Sequence, residues 1–323
     1  MRIVLITPAG PTSRTGNRVA ASRWAGILRK LGHHVTIAPS YDGKRFDFMV
    51  AIHAWRAAES IQRFKALYPA CPVVLQLSGT DIYEYLQSDP GPTLRSMELA
   101  DRLIGLNDLV PNVLPKRFRS RLRIIFESAE PPTRERRPSA RAVTIAVIGH
   151  LRDVKDPLRA AKAVRLLPPE SRVRVEQVGR AYAQQWAAKA RTEMKANKRY
   201  RWRDDVPRAS VRALLARSHA MVISSLSEGG ANVISEAVAA RVPVLASRMD
   251  GNVGLLGRDY PGYFPVGDTG ALARLLDKLE QEPGFVRLLE KAIARRAPLF
   301  RPAREVATWR RLLAELISPS GRD

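Results

Sequence analysis

The sequence predicts an α/β protein made of two doubly wound parallel-sheet domains facing each other across a cleft. Three observations carry that expectation. Short apolar runs of strand length alternate with amphipathic helical patterns, the order that parallel sheets covered by helices on both faces require. The alternation breaks once, at residues 127–141 (ESAEPPTRERRPSAR), where three prolines and four arginines leave almost nothing apolar, as in a linker. A chain of 323 residues is also long for a single core and comfortable as two, each able to bury its own.

In chain order, the runs at residues 3–6, 35–38, 48–52, 73–77, 103–106 and 124–126 read as buried strands of a first domain. The helix after the first of them carries Ala20, Trp24, Ile27, Leu28 and Leu31 on one side. A second series follows the break, with strands at 143–148, 173–178, 221–224 and 242–246 and helices between them. The domains are therefore expected at residues 1–140, with the linker from about 127, and at 141–300, followed by a last helical segment at 301–323. No repeat at solenoid periods is evident.

Composition narrows the function classes. The balance of 54 Lys and Arg against 31 Asp and Glu gives a formal net charge of +23, which raises nucleic acid or an anionic surface as a partner. The distribution argues against both. Basic residues such as Arg23, Arg29, Lys30, Arg159, Lys162, Arg165, Arg212 and Arg217 are spread over almost every helix, without a basic tail or an aromatic-interleaved strip. No run approaches the roughly 20 apolar residues of a membrane span, and the opening MRIVLITPAG is too soon interrupted for a secretory signal. The expected location is the cytoplasm. Cys71, the one cysteine, excludes an internal disulfide framework and a cysteine-based metal cluster, and no residue cluster calls for a metal.

In doubly wound sheets ligands gather at the carboxyl ends of strands, so the loops there hold the candidate site. The richest is Ser224 to Ser247 (SSLSEGGANVISEAVAARVPVLAS), where Glu228 and Glu236 flank a Gly229-Gly230 turn that opens a helix near Asn232. Glycines admit a ligand close to the backbone, and a helix start offers unpaired N–H groups to phosphate. Ionised carboxylates accept strongly from hydroxyls, so one glutamate suits a sugar and the other a ribose. The alternative is a solvated Glu228 in a loop and Glu236 on an exposed helix face. Seventy residues earlier, Gly149-His150-Leu151-Arg152-Asp153-Val154-Lys155-Asp156-Pro157 follows a strand, and Arg152 and Lys155 there suit a diphosphate.

Three first-domain loops are candidates for the second substrate. The loop from Thr7 to Asn17 lacks both GxGxxG and P-loop spacing but offers Arg14, Gly16, Asn17 and Arg18 to an anion. His53 and Arg56 end one strand, and Thr80 and Asp81 end the next. Taken singly, His53 and Asp81 also fit structural roles, Asp81 as the cap of a helix starting near Ile82.

On these residues the second half resembles the retaining-type family 4 glycosyltransferases of the two-Rossmann-domain GT-B architecture. The resemblance sets the family's Glu-x7-Glu pair on Glu228 and Glu236, its diphosphate lysine on Lys155, and its small-residue nucleotide loop on Gly179. His150 stands where the family usually has arginine, with Arg152 available to supply that charge, and Arg241 stands where glycine is usual. The strings GHLRDVKDP, EGGANVISEA, PVLASRMDGNVGLLGRDYPGYFPVGD and LSGTDIY, with the loop ending in Gly16-Asn17, are similar over nearly the whole chain to a narrower group, the selenosugar synthases of selenoneine biosynthesis. Trp55 and the AAES after Arg56 depart from that group's more basic segment.

The resemblance implies a glycosyltransferase that joins UDP-N-acetylglucosamine to selenophosphate, with the UDP-sugar as co-substrate and no tightly bound cofactor. It implies diphosphate contacts from Lys155, Arg152 and the amides of Gly229, Gly230, Ala231 and Asn232, with His150 and Gly179 lining the donor. Glu236 would take the ribose and Glu228 the sugar hydroxyls, while Arg14, Gly16, Asn17, Arg18, His53, Arg56, Thr80 and Asp81 would face the acceptor. It also implies that a C-terminal helix around residues 305–317 returns to the first domain. A family 4 enzyme with a hydroxyl acceptor shares the donor site and differs in needing a base; a basic nucleic-acid-binding protein is the reading from charge alone.

Overall fold

The computed structural model describes residues 1–13, 15–132 and 135–317. They form two six-stranded, wholly parallel sheets with helices between the strands. By contacts the chain divides into a first compact unit of Met1–Glu127, Glu228–Ala231 and the segment from Pro302, and a second of Ser128–Ser227 and Asn232–Arg301.

The first unit runs β1 (Arg2–Ile6), α1 (Gly16–Lys30), β2 (His34–Ala38), β3 (Phe48–Ile52), α2 (Ala58–Leu67) and β4 (Val73–Gln76). A π-helical turn (Asp81–Tyr85) then passes into the single turn α3 (Leu86–Ser88), followed by α4 (Pro90–Leu99), β5 (Arg102–Gly105), the short α5 (Val110–Val113) and β6 (Leu122–Ile124). The sheet order is β2-β1-β3-β4-β5-β6, so direction of build reverses between β1 and β3. Strand side chains alternate between faces, and both faces are covered. Ile3, Leu5, Phe48 and Val50 pack with Trp24 and Leu28 on one side, while Val4, Met49 and Ala51 pack with Ile61, Phe64 and Met97 on the other. That is why the strands read as unbroken apolar runs.

The second unit runs β7 (Val143–Ile148), α6 (Arg159–Val164), β8 (Val173–Val178), α7 (Gln184–Ala196), β9 (Tyr200–Trp202), α8 (Arg208–Arg217) and β10 (Ala220–Ile223). It continues through α9 (Asn232–Ala239), β11 (Val244–Ser247), α10 (Asp250–Leu256), β12 (Tyr263–Phe264), α11 (Thr269–Gln281) and α12 (Pro283–Arg296). Its order is β12-β11-β10-β7-β8-β9, with the switch between β7 and β10. The last helix, α13 (Pro302–Ile317), belongs to the first unit, where Trp309, Leu312 and Leu313 join the core beside Trp24.

The α/β, doubly wound fold class holds, and the differences are local. β6 lies two residues before the expected run at 124–126 because its register comes from β5, Leu103 pairing Leu122 and Gly105 pairing Ile124; Ile125 and Phe126 are buried beyond the strand. The edge strands β9 and β12 have three and two residues, too few for a periodic signal. The expected linker is partly pinned. Arg136 donates to the carbonyls of Ser218 (2.9 Å) and His219 (2.8 Å) and pairs with Glu290 (2.8 Å), and Arg137 N–H donates to Ala216 (2.8 Å).

Candidate active site

The loops that follow β7 and β10 leave neighbouring strands at the switch point of the second sheet, where strand ends splay and a ligand can enter. After β7 the chain passes Gly149 and His150 into a single turn of 3-10 helix, Asp153–Lys155, and Asp156 closes it in the left-handed region at φ 43°. This turn is fastened to the end of β10. Ser224 Oγ donates to the carbonyls of Lys155 (3.2 Å) and Asp156 (3.0 Å), and Leu226 N–H donates to that of Val154 (2.8 Å). Asp156 also binds Arg159 Nε at 2.5 Å. Lys155 therefore sits half-buried on a turn whose carbonyls are held by the strand leading into Glu228.

His150 and Gly179 meet across the β7 and β8 loops. Gly179 has φ +140°, and a Cβ there would lie 2.1 Å from the Gly149 carbonyl oxygen, so only glycine lets the two backbones touch. Arg180 N–H donates to His150 Nδ1 (3.2 Å). The exposed Tyr182 ring lies 5.3 Å from the His150 ring, with the Arg152 and Arg180 guanidinium groups 5.8 and 5.4 Å from its centre. Two cations and an aromatic face thus gather where the adjacent ends of β7 and β8 meet. On α9, Glu236 is a quarter exposed and pairs with Arg208 at 3.3 Å.

Glu228–Ala231 belongs to the first unit. Glu228 is buried, at 8% exposure, which removes the solvated-loop alternative for that residue. Asn107, fully buried just beyond β5, donates through Nδ2 to the Gly229 carbonyl (2.7 Å) while its Oδ1 accepts from Leu109 N–H (2.8 Å). The glycines are close-contact residues. A Cβ on Gly79 would fall 2.4 Å from Gly229 N, and one on Gly230 would fall 2.6 Å from Leu106 Cβ. Asn107 was not among the expected residues, although a polar side chain just after the buried LIG run at a carboxyl strand end is the signal that marks it.

Within the first unit His53, Thr80 and Asp81 come together. Asp81 is fully buried and accepts from the amides of Ala54 and Ser78, each at 2.8 Å, and its carboxylate lies at very short range from His53 Nδ1. Its carboxylate ties two strand-end loops; it does not cap the turn it begins. His53 Nε2 lies 3.0 Å from Thr80 Oγ1, and Arg56 contributes its N–H, 3.3 Å from His53 Nδ1, while its side chain is exposed. Trp55 stacks on Tyr85 with ring centres 4.7 Å apart and donates to Asp89 (2.8 Å). Gly16, Asn17 and Arg18 form the first turn of α1, Thr7 Oγ1 donating to the Asn17 carbonyl at 3.5 Å. Arg14 lies outside the described residues. Among the described residues no group of three His, Cys, Asp or Glu is placed to hold a metal ion, and no helix is long and apolar enough to cross a membrane.

Comparison with known proteins agrees with this architecture. A search of curated proteins found no match. Several solved structures share the fold over nearly the full length. Sucrose-phosphate synthase from Thermosynechococcus elongatus superposes with a TM-score of 0.82 at 15% identity, covering 99% of this chain and 100% of its own. Anabaena Alr3699/HepE, solved in complex with UDP, gives 0.78 at 14% identity, with coverage of 98% and 100%. A glycosyltransferase from Rickettsia africae gives 0.77 at 13% identity, with 99% of each chain covered. The family model for glycosyl transferases group 1 matches residues 133–297, just over half of the sequence and the part that contains the Lys155 turn, Gly179 and both glutamates. The protein is a member of the group 1 glycosyl transferase family.

Proposed function

We propose that this glycosyltransferase makes a selenium–carbon bond, transferring N-acetylglucosamine from UDP-N-acetylglucosamine to the selenium of selenophosphate in the cytoplasm. Selenium attacks the anomeric carbon, the bond from that carbon to the diphosphate oxygen breaks, and UDP departs with the electron pair. Selenophosphate is anionic and its selenium is a soft nucleophile, so the step needs little help from a base. The protein's contribution is orientation of the two substrates and stabilisation of charge on the departing diphosphate. The observation that carries the donor half is the fastening of the Lys155 turn to Ser224, at the strand end leading into EGGANVISE. Lys155, Arg152 and the Gly229 to Asn232 amides are assigned to the diphosphate, Glu236 to the ribose, Glu228 to the sugar, with His150 and Gly179 at the nucleotide.

UDP as the nucleotide is supported by Anabaena HepE, which has been solved with UDP, with UDP and glucose, and with UDP-glucose. The acceptor half rests on the LSGTDIY and DGNVGLLGRDYPGYFPVGD strings described above. Gly16, Asn17, Arg18, His53, Arg56, Thr80 and Asp81, with Arg14, are its candidates. The test mixes purified protein with UDP-N-acetylglucosamine and selenophosphate under anaerobic conditions and follows UDP by chromatography and selenium-isotope products by mass spectrometry. UDP release with a selenium-bearing sugar is expected; turnover with hydroxyl acceptors and none with selenophosphate overturns the reading in favour of an ordinary sugar transferase.

A further inference from the structure

Resting on the selenophosphate reading, we propose that Thr80, His53 and Asp81 form a nucleophile, base and orienting carboxylate that cleave the selenium–phosphorus bond remaining after sugar transfer. The geometry has the signature of an activated hydroxyl: nucleophile and base within hydrogen-bond reach, and the base fixed by a third group. Thr80 Oγ1 lies 3.0 Å from His53 Nε2. The very close approach of Asp81 to His53 Nδ1 places a proton on that nitrogen in preference to the longer 3.3 Å contact from Arg56 N–H. With Nδ1 protonated, the neutral imidazole turns the Nε2 lone pair to the Thr80 hydroxyl. The Ala54 and Ser78 amides immobilise Asp81, so the imidazole cannot swing away.

Two further observations separate this from a merely structural cluster. His53 holds φ 79°, a strained backbone region that few non-glycine residues adopt. The Ala54 and Ser78 amides already tie the loops through Asp81, so tying them does not account for a strained histidine. The chain then enters a π-helical turn at Asp81, a rare geometry that recurs at functional sites. Thr80 is half-buried, and its neighbour Gly79 packs against the backbone of Gly229, in the loop assigned to the sugar donor.

Transfer leaves phosphate attached through selenium to the sugar. Thr80 Oγ attacks phosphorus while its proton passes to His53 Nε2; the oxygen–phosphorus bond forms, the selenium–phosphorus bond breaks, and the electron pair leaves as the sugar selenolate. Water then attacks the phosphorylated threonine, its proton remaining with the phosphate released, and His53 returns its own proton to Thr80 Oγ. One water is consumed, and nothing is oxidised or reduced. Asp81 acts through His53 as a positioning residue.

The test follows UDP, inorganic phosphate and the phosphorus-31 signal of the phosphorylated selenosugar with the full-length enzyme. In the unaltered protein phosphate should appear in step with UDP. Thr80→Val and His53→Gln should lower phosphate released relative to UDP by about tenfold or more and accumulate the phosphorylated selenosugar, whereas Thr80→Ser keeps the two in step. Variants that slow both products while phosphate still keeps pace with UDP overturn the proposal and leave acceptor binding as the role. A variant that releases neither product is given the phosphorylated selenosugar directly, and hydrolysis there at the unaltered rate overturns it too. An unaltered enzyme that releases UDP yet accumulates the phosphorylated sugar sinks this proposal alone; one that releases no UDP sinks the transfer reading with it.

Discussion

Gly179 shows how much a single atom decides where the β7 and β8 loops meet. An added Cβ would meet the Gly149 carbonyl oxygen at 2.1 Å in a backbone conformation L residues avoid, so Gly179→Ala must push the β7 and β8 loops apart. Loss of UDP-dependent thermal stabilisation, with a melting temperature in the absence of nucleotide that falls by a few degrees, is expected in a thermal-shift assay. Lys155 and Glu236 separate by kinetics. Lys155→Ala should lower kcat by about a hundredfold with a smaller change in UDP affinity, because charge on the diphosphate grows as the bond breaks. Glu236→Ala should raise the Kd for UDP by about tenfold through loss of a charge-assisted hydrogen bond. Steady-state kinetics and calorimetry with UDP check the pair; unchanged values in both remove the assignments.

At the scale of elements, α13 completes the first unit's core from the far end of the chain. Trp309 is fully buried with its ring edge-on to Trp24, centres 4.9 Å apart, and Glu305 accepts from Trp24 Nε1 (2.7 Å) and Arg23 Nε (3.2 Å). Near the other end of the helix, Arg123 and Arg102 bind Glu315 at 2.7 and 3.2 Å and hold its carboxyl below the usual range. Trp309→Ala should cost about 3–5 kcal/mol in urea unfolding. A variant within 1 kcal/mol of the parent would mean the helix contributes little to that core.

For the whole molecule, the ionic cluster where the chain leaves its first unit sets a pH dependence. Glu127, the last residue before the crossing, is buried against Arg23, with Glu305 sharing the same guanidinium. Burial, aided by Glu305 and opposed by Arg23, pushes its carboxyl up from 4.5 to about 7. The folded state then binds more protons than the unfolded state between those values, so this contribution is present in full below pH 4.5 and is lost as pH rises through 7. The melting temperature should fall across that window relative to Glu127→Gln, by an amount corresponding to at most roughly 3 kcal/mol; parallel profiles for the two proteins would count against it. Much of this architecture was legible in the sequence. Apolar runs such as Phe48–Ile52 and Val143–Ile148 specify buried parallel strands wherever they are placed, and the turn glycines with Glu228, Glu236 and Lys155 specify a polar strand end. Short edge strands escaped notice because two or three residues carry no period. Only the tertiary structure decided that Ser224 fastens the Lys155 turn, that Asn107 anchors Gly229, and that Asp81 serves His53 in place of a helix cap. Periodicity encodes which face of an element is buried. Contacts between loops 27, 69 or 122 residues apart depend on strand order, which no local pattern contains.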